Sequence, residues 1–284
     1  MTRLPGPNGG QGRPLVAGAR SAPPRDVGWL IVLVLALDTS TPSVTAGVVR
    51  LRRPHEIIAA PEAGAVLGDA ASRPGALLAE ESVTDPYAHA ERLMPLALAA
   101  LATAGKSLRD LDAVVVGLGP GPFTGLRVGI ATAAALGDGL GIAVHGVPSH
   151  DGTARALEPL PGALMVVTDA RRREVYLSAY RADGGKVLGP LVVAPAAVPQ
   201  LLTDNDVTPA FITGQGAPLM DPFRSPSFDP AVRNAADAAR SLGLVERAAV
   251  ALLTGVVPGP LTPLYLRRPD ATEPGARRKS VLGR

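Results

Sequence analysis

Between Ala113 and Gly137 the chain passes from a continuous apolar run, through a turn built of glycine and proline, into a stretch almost bare of bulk: "AVVVGLGPGPFTGLRVGIATAAALG". The first part reads as a buried strand and the last as a helix. That helix holds Gly125, Gly129, Ala131, Ala133, Ala134, Ala135 and Gly137. Each glycine in a helix interior costs about 1 kcal/mol relative to alanine. So many small residues therefore require something to approach closely, either the helix's own sheet or a neighbouring helix, or both on different faces. The turn before it lies where phosphate cradles lie, between strand and helix, but the details differ. No lysine completes a Walker pattern. Gly117-x-Gly119 leads to Pro122, and Gly119-x-Gly121 leads to Thr124, so no dinucleotide fingerprint forms. Pro120 and Pro122 also lack the N–H groups that a cradle uses. The turn reads better as a sharp bend, with Thr124 as the N-cap of the helix.

The flanking sequence alternates strand-type and helix-type patterns. Ile31–Leu37 and Val44–Leu51 read as strands joined across "DTSTPS", a hairpin with hydroxyls at its turn. Residues 52–85 read as a loop insertion ending in an edge strand. "HAERLMPLALAALATAG" reads as an apolar helix stopped by Gly105, with Pro95 near its first turn. "IAVHGVPS" is a further short strand. In the second half, "GALMVVTDARRREVYLSAYRADGGKVLGPLVV" reads as three strands and two turns, "PAFITGQGA" as another strand, and Ala235–Leu253 as a helix. Together these indicate an α/β chain with mixed sheets flanked by helices. The expected organisation is a disordered extension over 1–30, an N-terminal lobe over 31–147 carrying the two apolar helices, a C-terminal lobe over 148–266, and a basic disordered tail over 267–284.

Charge and composition remove several function classes. The 284 residues include no cysteine, so neither disulfides nor thiolate metal sites are available. The net charge of +3 resides in the ends. Residues 1–30 carry four arginines against Asp26, and 267–284 carry six cations against Asp270 and Glu273, which leaves 31–266 at −4. A mildly acidic body is a poor platform for a polyanion, so nucleic-acid contact would fall to the ends. "WLIVLVLAL" is nine residues long, short of the ~20 that a spanning helix needs. No membrane association is expected, and the expected location is the cytoplasm.

Taken together and in order, "LALDTSTPSVTAGVV", "HAERLMPLALAAL", "LDAVVVGLGPGPFTGLRVGIATAAALG" and "TDARRREVYLSAY" resemble the TsaB (YeaZ) family. The resemblance covers about residues 33–190, with "ITGQGAP" and "TPLYLRRP" as later echoes. It implies the two-lobed fold of actin-like and sugar-kinase-like (ASKHA) ATPases. It further implies a role as non-catalytic scaffold or dimerisation subunit in making threonylcarbamoyladenosine at position 37 of tRNAs reading ANN codons. The implied partners are the catalytic paralogue TsaD, the ATPase TsaE, and tRNA through the complex, with a homodimer when alone.

The residues bear on whether this chain could itself be the catalyst. The paralogue's metal pair has the form His-x-x-x-His, whereas here His89 is followed by Leu93; His89 reads as a surface or capping residue, and His55, His145 and His150 lie elsewhere. No catalytic residue, resident cofactor or metal ligand is therefore assigned, and ATP is expected at most at the level of the complex. Actin-like ATPases grip phosphates between two hairpins. The first keeps Asp38, Thr39 and Ser40; the second keeps Asp169 but has Ala170 and Arg171 to Arg173 in place of a glycine-rich turn. Asp38, Thr39, Ser40, Asp169 and Arg171 are thus the candidate anion contacts. Leu93, Met94, Leu96, Leu98, Ile130 and Ala134 are the candidate partner interface. The competing readings are an independent actin-like ATPase or kinase, and an RNA-binding module using the basic ends.

Overall fold

The structure, a computed structural model, describes residues 32–52, 73–85, 87–233 and 239–267. The extension over 1–30, most of the 52–85 insertion and the tail beyond Arg267 lie outside these residues. Two five-stranded sheets are built on one plan. In the first, β1 (Val32–Asp38), β2 (Ser43–Leu51) and β3 (Gly75–Thr84) form an antiparallel meander. On the other side of β1, β4 (Ala113–Gly117) and β5 (Ala143–Val147) add in parallel, giving the order β3-β2-β1-β4-β5. In the second, β6 (Ala163–Asp169), β7 (Val175–Tyr180) and β8 (Lys186–Val193) repeat the meander. Here β9 (Pro209–Thr213) and β10 (Ala231–Arg233) add in parallel beside β6. This is the two-lobed, actin-like arrangement expected from the resemblance.

β1 is apolar at every position but the last because both faces of its sheet are covered. One face packs Leu35, Leu37, Val48 and Val116 under α1 (His89–Thr103) and α2 (Phe123–Leu140). The other packs Val34, Ala36, Val49 and Val115 against Leu244, Val245, Ala248 and Ala249 of α5 (Arg240–Thr254). Helix α5 follows the second sheet in sequence, within the span expected to form the C-terminal lobe, but completes the core of the first.

Between the sheets runs α3 (Ser149–Leu157), a helix for which the sequence analysis makes no provision. It packs Ala154 onto Leu164, Val166 and Tyr180 of the second sheet. It also crosses α5 in backbone contact: a Cβ on Gly243 would collide with the Gly152 carbonyl and lie 2.7 Å from the Ala156 nitrogen. On the far side of the second sheet, Val198 and Leu202 of α4 (Val198–Asp204) cover Met165, Val167 and Ile212.

Two local expectations differ from the structure. Helix α2 begins at Phe123 with Pro122 in the N-cap position, so Thr124 is already inside the first turn. Pro95 stands seventh in α1, past the first turn, and cannot donate to the Glu91 carbonyl. Both residues are exposed, so water can take up the unmet bond.

Candidate functional site

The turn between β1 and β2 sits directly on the glycine-rich loop and the start of α2. Thr39 is fully buried, and its hydroxyl donates to the Gly125 carbonyl at 2.7 Å. The Ser40 carbonyl lies where a side chain on Gly121 would go, and Thr39 lies where side chains on Gly125 and Gly129 would go. These glycines are therefore a seat for the turn of the chain's own first hairpin. Asp38 is buried below it, accepting from the Ser40 N–H at 2.8 Å and from the Ser149 hydroxyl at 3.2 Å. Ser149 in turn accepts from the Gly119 N–H at 3.2 Å. His89 is buried, and its Nε2 N–H donates to the Thr41 carbonyl at 2.9 Å. It is neither the surface residue nor the cap that the sequence suggests, but a bolt holding α1 to the turn.

Asp38 Oδ1 and the Thr39 hydroxyl thus bond within the fold, and Asp38, Thr39 and Ser40 are all buried. The other two candidate anion contacts stand apart from them. Asp169, at the end of β6, accepts from the Arg171 N–H at 2.7 Å and lies 3.6 Å from the Arg171 guanidinium. Arg171, Arg172 and Arg173 are all exposed, and all three are left-handed, with φ of 64°, 52° and 61°. This conformation costs roughly 1–2 kcal/mol per non-glycine residue. The turn is closed by the Ala170 N–H to the Glu174 carbonyl and the Glu174 N–H to the Arg171 carbonyl. Among the described residues no hydrogen bond joins the two turns directly.

What links them is the segment after α5. Residues 256–267 carry no regular structure, yet Leu261 and Leu264 pack on the first-lobe core and the Leu264 N–H donates to the Leu118 carbonyl at 2.9 Å. Tyr265 packs against Phe123 of α2 with ring centres 4.8 Å apart and receives a hydrogen bond from Arg127 at 3.0 Å. Two residues on, Arg267 donates to the Ala170 carbonyl at 2.7 Å and pairs with Glu174. This strap fastens the arginine turn of the second lobe to the first. The "TPLYLRR" echo in the sequence was its only signal.

Helix α3 is a second link, made of three consecutive polar residues. Ser149 reaches the first turn, as above. His150 is bonded through Nδ1 to the Ser178 hydroxyl and through Nε2 to the Thr168 hydroxyl, each at 2.9 Å. Burial, opposed by Asp151 and assisted by Lys186, brings its imidazole down to about 3, so it is neutral. Asp151 accepts from the Tyr180 hydroxyl at 2.7 Å and from Lys186 at 3.0 Å. Burial, followed by the Asp151 charge, pushes the Tyr180 phenol well above its ordinary value. At the far end of α3, Arg155 and Arg73 both pair with Glu246 of α5, whose side chain is fully buried.

The six candidate interface residues divide. Leu93 is 1% exposed and belongs to the first-lobe core, so it cannot meet a partner; the apolar pattern around α1 did not distinguish its two faces. Met94, Leu96, Ile130 and Ala134 are half-buried, and Leu98 is 49% exposed. With exposed Ala99, Ala102, Ala131 and Ala135 they form a low, apolar ridge along α1 and α2. The small residues of α2 thus serve two sides: Gly125, Gly129, Ala133 and Gly137 turn inward, and the alanines between them face out.

Among the described residues, no three His, Asp or Glu side chains are grouped to hold a metal. Among the same residues, no helix is long and apolar enough to cross a membrane.

Comparison with known proteins adds to this geometry. The family model described as "TsaD: tRNA N6-adenosine threonylcarbamoyltransferase" matches residues 85–215. The uncharacterized protein Rv3421c of Mycobacterium tuberculosis is 42% identical over 241 residues, 85% of this chain and 94% of that protein. The tRNA threonylcarbamoyladenosine biosynthesis protein TsaB of Escherichia coli is 38% identical over 100 residues, 34% of this chain and 43% of its own length. Among solved structures, YeaZ from Pseudomonas aeruginosa aligns with a TM-score of 0.59 at 24% identity, covering 83% of this chain and 100% of that one.

Proposed function

Since this chain belongs to the TsaB (YeaZ) family, we propose that it serves the synthesis of threonylcarbamoyladenosine in tRNA as a non-catalytic scaffold subunit. Its partner in this reading is the catalytic TsaD paralogue, with the ATPase TsaE joining the pair. The carrying observation is the ridge on α1 and α2. It presents Leu98 at 49% exposure among exposed alanines, whose small side chains suit the close approach of another helix pair. Docking there would bury Met94, Leu96, Leu98, Ile130 and Ala134 while leaving the sheet beneath undisturbed. Without that partner, the same ridge would pair with its own copy.

The closed first turn favours this reading over an independent ATPase or kinase. An enzyme of that kind needs the hydroxyls and amides of both hairpins free to take phosphate, whereas Thr39 and Ser40 are buried against Gly121, Gly125 and Gly129. The test is co-expression with the organism's own TsaD. Ala134→Arg should abolish co-purification and the dependent tRNA modification while the circular dichroism spectrum and thermal midpoint stay near wild type. A variant that still pairs and supports modification would overturn the proposal, as would ATP turnover by the purified chain alone.

A further inference from the structure

We infer that the free chain pairs with a second copy of itself through a knob and a groove at opposite ends of α1. This rests on the functional reading above and names the residues by which the ridge closes on its own copy when no TsaD covers it. The knob is Tyr87, which shortly precedes α1. Its N–H and that of Ala88 donate to the Asp85 carboxylate at 3.1 and 3.2 Å, so its backbone is held, yet the residue is 98% exposed. A tyrosine side chain brings roughly 150–250 Å² to an interface, and tyrosine is enriched among interface anchors. The groove lies where α1 ends. The helix stops short of Gly105, whose φ of 63° turns the chain, and residues 106–109 then line one side of the groove. Its volume is about 410 Å³, and Leu98, Leu101, Ala102 and Leu108 give it an apolar lining. Ser107 braces its wall, donating from its N–H and its hydroxyl to the Asp110 carboxylate at 2.8 and 2.9 Å.

Two observations select a second copy as the occupant. The first is register. In a two-fold pair a patch meets itself, so a knob must find its hole on the same surface. Tyr87 and Ala102 stand ~22 Å apart at a rise of 1.5 Å per residue. When two α1 helices pack antiparallel about a two-fold beside Met94 and Pro95, the middle of that interval, Tyr87 of each copy comes opposite Ala102 and the groove of the other. Between knob and groove, Glu91, Met94, Leu98 and Ala102 follow at spacings of three and four and share one helix face. The second is charge. The knob end carries Asp85 and Glu91, and the groove is rimmed by the exposed Lys106 and Arg109, with Asp110 bonded to Ser107. The same antiparallel register sets Asp85 toward Lys106 on both sides of the two-fold. Arg92, the cation of the knob end, follows Glu91 by about 100° around the helix and so lies on a neighbouring face. One pairing therefore fills the groove, covers Leu98 and sets unlike charges together. A second copy and TsaD exclude each other, because both cover the same ridge.

The experiment follows the full chain by sedimentation velocity from submicromolar to high-micromolar concentration. The wild type should dimerise. Tyr87→Ala should raise the dissociation constant at least ~100-fold, since the two-fold removes the ring at two places and the loss of an anchor costs upwards of ~10-fold at each. Tyr87→Phe should keep the dimer. Ala102→Trp, which fills the groove from its own side, should weaken pairing as Tyr87→Ala does. Both positions are exposed, so the thermal midpoint should hold. Mixing the two variants shows whether the contact crosses between copies. Tyr87 of the Ala102→Trp chain then meets the open groove of the Tyr87→Ala chain, so the mixture should pair more tightly than either variant alone. The proposal is overturned if the wild type is monomeric throughout, if Tyr87→Ala pairs as the wild type does, or if mixing adds nothing. Co-purification with TsaD is read in parallel. A chain that self-pairs through Tyr87 but never binds TsaD sinks the functional reading alone. A Tyr87→Ala chain that binds TsaD yet self-pairs like the wild type sinks this one alone.

Discussion

Substituting alanine for Gly243 sets helix propensity against packing, and the structure decides the sign. By propensity alone, Gly to Ala within a helix should stabilise by up to about 1 kcal/mol. At Gly243 the new Cβ would collide with the carbonyl of Gly152 and lie 2.7 Å from the Ala156 nitrogen and 2.9 Å from the Ala156 Cβ. None of these atoms can rotate away, so α5 would have to withdraw from α3. Withdrawal would loosen Leu244 and Val245, which are 1% and 0% exposed. Overpacking of this kind costs roughly 1–3 kcal/mol, which outweighs the gain in propensity. The net expectation is a loss of up to about 2 kcal/mol, or a fall of up to ~8 °C in thermal midpoint at about 2–4 °C per kcal/mol. Gly139, near the end of α2, is the internal control, because a Cβ there meets nothing within 4 Å. Gly139→Ala should raise the midpoint by up to ~4 °C. Both variants are read by calorimetry and urea titration. If Gly243→Ala proves as stabilising as Gly139→Ala, the two helices do not touch at that point and the account of the inter-lobe contact is wrong.

Other outcomes follow from groups already described. Because His150 is held neutral with its folded value near 3, an unfolded chain takes up a proton that the folded one refuses. Stability should therefore be complete above about pH 6.5 and decline as pH falls toward 3, by at most ~1.4 kcal/mol per unit. His150→Gln should flatten that dependence in urea midpoints measured between pH 7.5 and 5; an unchanged slope would place the proton uptake elsewhere. Glu246→Gln should cost about 3–5 kcal/mol, since it leaves Arg73 partly buried without its counter-charge and Arg155 with Glu158 alone. A urea midpoint within about 1 kcal/mol of wild type would mean that water screens the pair.

The strands of both meanders and the helices α1 and α2 are legible because their apolar runs and periodicities are long. What escaped has specific causes. Helix α3, "SHDGTARAL", presents no apolar stripe because its buried positions include Ser149, His150 and Asp151, each satisfied by groups on other elements. A polar helix buried between two sheets resembles a loop until its partners are known. Helix α5 was legible as a helix but not as part of the first lobe, since chain order does not reveal which sheet a returning helix covers. The bulk-poor stretch after Gly117 pointed correctly to close approach, but two neighbours satisfy that requirement: the first turn on the inner side and an open ridge on the outer. Leu93 fell on the wrong side of this division for the same reason. The candidate anion contacts at Asp38, Thr39 and Ser40 were named from chemistry, and only the fold reveals that all three are buried, with the Asp38 carboxylate and the Thr39 hydroxyl bonded within the chain.

Consecutive residues of α3 are bonded to opposite halves of the molecule, and Gly152 rests on Gly243 just behind them. Any opening between the two lobes would therefore have to part Ser149 from Asp38 and Gly119, or else His150 and Asp151 from the second sheet. Whichever way the lobes parted, the Gly152–Gly243 crossing would have to separate or slide as well, so three consecutive residues and one glycine pair together resist the movement.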